Sequence, residues 1–258
     1  MPLYAGGRRI ARLYRGANAI VRAYKGAAKV FDAAEDDSAF PAVAASSTSV
    51  NNSAQSSHTV NLPASIAAGD LLVIGIAAAR RNASNVRVDG TFSTPSGWTE
   101  LFQATNPSNN DDVRLAVYSR IASGSEGATV SVATANNTRT ASLSLRITGA
   151  EGSIASAHAA ANGQTSSNAP NLAPSWGAAK TLWLCFDASS GHGSPSSGAA
   201  GPSGFGSIVA SATTLANANG CAIRTAWKED EVAALDPAAF ALGVTADWVA
   251  ATVAVRPL

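Results

Sequence analysis

The sequence predicts an all-β protein: a short N-terminal β-meander followed by an antiparallel, jelly-roll-like β-sandwich that is internally duplicated. Three observations carry this. The first thirty residues repeat every ten; from Pro41 onward, apolar runs recur between Asn, Gly, Ser and Pro; and segments in the first half of that region return in the second.

The repeat reads Leu3-Tyr4-Ala5-Gly6, Leu13-Tyr14-Arg15-Gly16 and Ala23-Tyr24-Lys25-Gly26, with Ile10, Ile20 and Val30 in the same register. Each unit has the pattern of a strand ending at Tyr, a glycine-centred turn and a new strand, because glycine supplies the positive φ that tight hairpin turns need. Three such strands bury too little surface to stand alone. The segment is also basic, carrying Arg8, Arg9, Arg12, Arg15, Arg22, Lys25 and Lys29. A docking or oligomerisation role is therefore expected for it, with Leu3, Tyr4, Arg12, Leu13, Tyr14, Arg22 and Tyr24 as contact residues. A small β-subdomain packed on its own chain is the plainer alternative. The acidic, small-residue run from Asp32 to Ser38 then breaks the alternation as a linker does. The expected organisation is a docking segment and linker over 1–40 and a sandwich over 41–258.

Within the sandwich region, Gly69 to Ile76 is apolar throughout apart from Asp70 and reads as a strand buried on both faces. Val113 to Tyr118 and Ala141 to Ile147 alternate with period two, which implies one wet face. A two-sheet sandwich provides both environments. Only Glu229 to Leu235 reads as briefly helical.

The duplication rests on three ordered matches. Asn61-Leu62-Pro63 before Leu72-Val73-Ile74 returns as Asn171-Leu172-Ala173-Pro174 before Leu182-Trp183-Leu184. Pro95-Ser96-Gly97-Trp98 returns as Pro202-Ser203-Gly204-Phe205. Leu143, Leu145 and Arg146 match Val253, Val255 and Arg256. Pseudo-repeats over about 42–149 and 150–258 follow, against the alternative of chance likeness between Ala/Ser-rich strands. No Pro/Gly-rich linker separates the halves, which favours one sandwich over two in tandem.

Composition narrows the chemistry. Eighteen basic residues balance 17 acidic ones, so no global field gathers phosphate or anionic lipid, and neither a nucleic-acid partner nor membrane insertion is expected. No signal-peptide pattern is visible, so the protein is expected to stay in the cytoplasm that makes it. Cys185 and Cys221 each lie in an apolar run and read as small core hydrophobes, with bridging left open. His58, His158 and His192 are too scattered for a metal site, and no G-x-S-x-G elbow or phosphate-binding glycine loop occurs. Asp111-Asp112 and Glu229-Asp230-Glu231 read as solvated turn residues. The expectation is a non-enzymatic protein without catalytic residues, metal or cofactor.

Recognition surfaces are sought among aromatics and long loops. Trp98, Trp183, Trp227 and Trp248 fall in or beside strand patterns and read as core. Trp176, between Pro174-Ser175 and Gly177, and His192, in the Ser/Gly/Pro-rich stretch from Ser189 to Gly204, are the candidate receptor contacts.

The opening Ile10-Ala11-Arg12-Leu13-Tyr14-Arg15-Gly16 and its continuation to Phe31 resemble the N-terminal Tyr-Gly repeats of bacteriophage tail and other minor virion proteins. Leu62-Pro63 through Gly69-Asp70-Leu71-Leu72, Thr94 to Thr99 and Val117 to Arg120 are similar to β-sandwich domains of phage tail, fibre and spike proteins. The resemblance implies a component of a phage or phage-like particle, located in the virion among other virion proteins. A spike, fibre or tail-tip protein that binds host-surface polysaccharide is one form; a capsid decoration or adaptor protein without a receptor role is another, and a polysaccharide depolymerase a third. A homo-oligomer is expected, with a trimer favoured.

Overall fold

The structure, a computed structural model, describes residues 39–80, 84, 86–106, 113–190, 201–206, 208–214 and 219–258, together with the backbone of six short strands within 4–32. The chain divides into two compact units, Met1–Ser38 and Ala39–Leu258.

In the first unit β1 (Tyr4–Ala5) pairs with β2 (Arg8–Arg9), β3 (Leu13–Arg15) with β4 (Asn18–Ile20), and β5 (Arg22–Lys25) with β6 (Ala28–Asp32), giving three separate two-stranded antiparallel sheets. This corrects the expected meander, in which each repeat would pair with the next. The reason lies in turn length. Ala5 pairs with Arg8, Arg15 with Asn18 and Lys25 with Ala28, so only two residues, glycine first, join each pair of strands. That is the length at which a hairpin closes on itself.

In the second unit, β7 (Ala42–Asn61), β8 (Leu71–Ala79), β9 (Thr99–Thr105), β10 (Val113–Ile121) and β11 (Thr129–Thr148) form one antiparallel sheet in the order β7-β11-β8-β10-β9. The strands β12 (Ala150–Ser167), β13 (Thr181–Ser190), β14 (Ile208–Ala212), β15 (Cys221–Asp230) and β16 (Phe240–Pro257) form another, in the order β12-β16-β13-β15-β14. The two sheets make a sandwich. Its connectivity is not that of a jelly roll, whose successive strands alternate between sheets. Here the first five strands stay in one sheet, the chain crosses at Gly149 (φ +71°), and the last five stay in the other. The stretch read as helical is instead the end of β15 followed by irregular chain, with Leu235 bridged to Leu172.

The inner core holds Leu71, Val73, Leu115, Val117, Leu143 and Leu145 from one sheet against Leu182, Leu184, Phe186, Ile223, Val249 and Val253 from the other. Both outer faces are covered too. Over the first sheet, Val60, Phe92, Trp98 and Val132 pack on Leu72, Ile74, Ile76 and Tyr118; over the second, Phe240, Leu242 and Trp248 pack on Cys185 and Ala226. As expected, β8 is buried along its whole length. The wet face expected for the alternating strands is a misreading: Ser142 and Ser144 are fully buried, and their hydroxyls donate to the carbonyls of Ser49 and Asn61. A small hydroxyl with a backbone partner can be buried at little cost, so its polarity mimics exposure in the sequence.

The halves share one strand order, first-fifth-second-fourth-third. Matching backbone bonds join equivalent connections: Leu62 N donates to Ala128 O (2.8 Å) and Leu172 N to Leu235 O (3.0 Å). Each Pro-Ser-Gly segment lies between the second and third strands of its sheet and closes a turn, Trp98 N to Pro95 O and Phe205 N to Pro202 O, both 3.1 Å. The facing strands also match: β7 lies against β14 and β12 against β9, β11 against β15 and β16 against β10, and β8 against β13. Exchanging the halves maps this set onto itself. The register does differ from the one read in the sequence. Leu72 faces outward whereas Leu182 faces the inner core, so the counterpart of Leu182 is Leu71, which pairs with Ile147 as Leu182 pairs with Val255. A slip of one residue reverses every side chain in a strand.

Candidate functional site

Strand ends sort the second unit into two poles. At one pole lie Phe40, near the start of the unit, the Gly149 crossover, Leu258, whose N–H donates to Gly149 O at 3.0 Å, and the turns before β8 and β13. At the other, β8 ends at Ala79 beside Val113, and β13 ends at Ser190 beside Cys221.

The first pole carries an aromatic patch on the outer face of the second sheet. Its base is Trp183, fully buried with Leu172 and Ala254, and its indole N–H donates to Asp230 O (3.3 Å). Trp176 and Phe205 pack on this base and are half-buried. The tight turn from Pro174 to Gly177 (φ +71°) presents Trp176, and its indole N–H is already taken by Thr181 Oγ1 (3.2 Å). What it can still offer a partner is ring surface. Lys228 Nζ stands 5.8 Å from the Phe205 ring centroid and 2.7 Å from Asp230 Oδ2. The patch thus combines two partly exposed rings with a charge pair that cancels, a surface suited to flat apolar groups rather than to a net ionic ligand.

The other candidate receptor residue, His192, lies outside the described residues, in the connection that leaves from Ser190 at the opposite pole. The two candidates therefore belong to connections at opposite ends. Leu3 and Arg12 also lie outside the described residues. Tyr4, Leu13, Tyr14, Arg22 and Tyr24 are on the strands of the three hairpins. Asp111 and Asp112 fall outside the described residues; Glu229 is exposed at the end of β15. Both cysteines are buried and free, and burial pushes the Cys221 thiol up to about 12. His158 stacks on Phe102 with ring centroids 5.0 Å apart. Trp98, Trp183 and Trp248 are core, as read from the sequence, while Trp227 is half-buried.

Two polar centres escaped sequence reasoning. His58 is fully buried, with Nε2 2.9 Å from Thr134 Oγ1 and Nδ1 3.1 Å from Thr140 Oγ1, and desolvation lowers its pKa to about 4. It ties together the two parts of β11 on either side of a register shift. Asp187 and Arg224 form a buried ion pair with Oδ2 accepting from Nε (2.9 Å) and Nη2 (2.6 Å); Nη1 donates to Ala241 O (2.7 Å), and the guanidinium lies over the Phe240 ring. The one signal available in the sequence was an acid and a base inside two apolar runs.

Among the described residues, no three His, Cys, Asp or Glu side chains are grouped as metal ligands, and no helix is long and apolar enough to cross a membrane. Comparison with family models, curated proteins and solved structures finds no match.

Proposed function

We propose that this chain is a non-enzymatic structural component of a phage or phage-like particle, a spike, fibre or tail-tip protein that docks through its N-terminal hairpins. The supporting observation is the first unit itself: three separate two-stranded sheets, repeated every ten residues and set apart as a compact unit from the sandwich. A two-stranded hairpin is marginal in water, so a row of three is best explained by a surface that they complete. Other virion proteins or symmetry mates in a homo-oligomer would supply that surface.

Host contact, with polysaccharide as the ligand class, would fall to Trp176, whose half-buried ring offers a stacking face, and to His192. The common strand order of the two sheets supports a duplicated five-stranded unit as the origin of the sandwich.

The test is deletion of residues 1–38. The truncated chain should remain folded and be lost from particles, while the full chain is incorporated. Normal incorporation of the truncated chain would refute the docking role. Incorporation without any loss of host binding when Trp176 and His192 are replaced by alanine would favour a decoration protein instead.

A further inference from the structure

Two tight turns deliver the rings of the aromatic patch. Gly177 N donates to Pro174 O and Phe205 N to Pro202 O, both at 3.1 Å, and each turn includes a glycine at positive φ, Gly177 at +71° and Gly204 at +81°. Trp176 and Phe205 are thereby held on the base of Leu172, Trp183 and Ala254 before any ligand arrives, and a preformed site avoids the cost of ordering it on binding. Folding alone does not demand that such a ring stay half-exposed. The matching Pro-Ser-Gly turn of the first half carries Trp98, which is only 8% exposed.

Beside the rings stand a donor and an acceptor. Lys228, the cross-strand neighbour of Trp183, places Nζ 5.8 Å from the Phe205 ring centroid and 2.7 Å from Asp230 Oδ2, and the two side chains are 24% and 35% exposed, so both remain within reach of a ligand. An ammonium has three N–H donors and a carboxylate about four acceptor positions, so the pair has bonding capacity beyond its own contact. Its charges cancel. That capacity therefore suits hydroxyl groups, which both donate and accept, better than it suits an anion or a cation.

We infer that this patch binds an uncharged polysaccharide, with sugar rings lying against Phe205 as well as Trp176 and their hydroxyls engaged by Lys228 and Asp230. The inference rests on the polysaccharide reading of Trp176 and adds to it a second ring, a polar pair and a selection against charged sugars. A pyranose whose hydroxyls are mostly equatorial has the two surfaces this site asks for: a flat C–H face for the aromatic rings and a rim of hydroxyls for the pair. A uronate fits less well, because its carboxylate meets a lysine already neutralised by Asp230.

The experiment titrates the full chain with cellohexaose, mannohexaose and chitohexaose, and with hexagalacturonate as the charged counterpart, following tryptophan fluorescence and the heat of binding. At least one neutral hexasaccharide should bind saturably, with a Kd on the order of 0.1–10 mM, and hexagalacturonate should bind about tenfold more weakly. Phe205→Leu, which keeps an apolar side chain and removes the ring, should weaken the neutral ligand about fivefold. Asp230→Asn leaves Lys228 without its counter-charge and should bring the charged and neutral ligands to within about threefold of each other. Neutral binding that is unchanged in Phe205→Leu overturns the inference. If that variant does not fold, Asp230→Asn decides, and an unaltered preference for the neutral ligand overturns it. Tighter binding of hexagalacturonate to the parent chain, lost in Trp176→Ala, would overturn it while leaving Trp176 as a polysaccharide contact; binding of none of the four would end both readings.

Discussion

On the outer face of the first sheet, Ile76 of β8 pairs with Ala116 of β10; at the matching rung of the second, Asp187 of β13 pairs with Arg224 of β15. All four side chains are buried. One sheet plugs this place with hydrocarbon, the other with an ion pair that must be satisfied by Ala241 O and Phe240. The pairing geometry is the same, so the difference is one of consequence: an apolar pair tolerates small changes, whereas a buried charge loses much when its partner goes. The inner face shows a second contrast. The neighbouring equivalent residues, Gly75 and Phe186, meet where β8 crosses β13, and a Cβ on Gly75 would stand 2.9 Å from Phe186 Cε1 and 3.0 Å from Ile223 Cδ1. Two phenyl rings would collide there and two glycines would leave a void, so the halves are complementary rather than interchangeable.

The largest effect should come from breaking the ion pair on one side. Arg224→Met leaves the Asp187 carboxylate buried and unpaired and should lower stability by about 3–5 kcal/mol. Adding Asp187→Ile, which gives the second sheet the chemistry of the first, should restore stability to within about 1 kcal/mol of the parent. Urea denaturation of the three proteins measures both values; a double variant no better than the single would show that the ion pair has a role its counterpart place lacks.

The next effect distinguishes the sheets by pH. His58 belongs to the first sheet, and its folded pKa of about 4 lies below the ordinary value near 6.5. Between those values the unfolded chain binds the proton and the folded chain does not. The stability is therefore fully present above about pH 6.5 and falls as pH drops toward 4, by a total on the order of 3 kcal/mol. His58→Gln should flatten that part of the pH profile of the denaturation midpoint. An unchanged profile would place the acid sensitivity elsewhere.

The smallest effect concerns the inner contact. Gly75→Ala should cost about 1–3 kcal/mol through overpacking, and Phe186→Leu in the same chain should recover part of it. Strictly additive losses in the double variant would show that the two residues do not compete for one space.

Much of the fold was legible because β8 and the Pro-Ser-Gly turns leave local marks: a continuous apolar run, and glycines that close turns. The outer faces were hidden for a physical reason. Ser142, Ser144, Thr140 and His58 are polar in composition yet buried, and the partners that permit this, Ser49, Asn61 and Thr134, lie far away in the sequence. The hairpin pairing in the first unit was misjudged because a Tyr-x-Gly repeat fits a meander and a row of closed hairpins equally well until the register is known. At the candidate site, the partial exposure of Trp176 was legible from its flanking Pro and Gly, but its position at the Phe40 pole depends on strand direction, which no local pattern encodes.

The edge strand β7 begins just after Phe40 and runs for 20 residues against β11. The strand folds back near its middle, bringing Asn61 N within 2.6 Å of Ser49 Oγ, but over 42–51 its hydrogen bonds with 140–148 stand roughly perpendicular to it, so a pull that enters at Phe40 loads that set in shear, many at once, rather than opening them one by one. A chain held by its first residues would meet such a pull in the direction in which this sheet yields least.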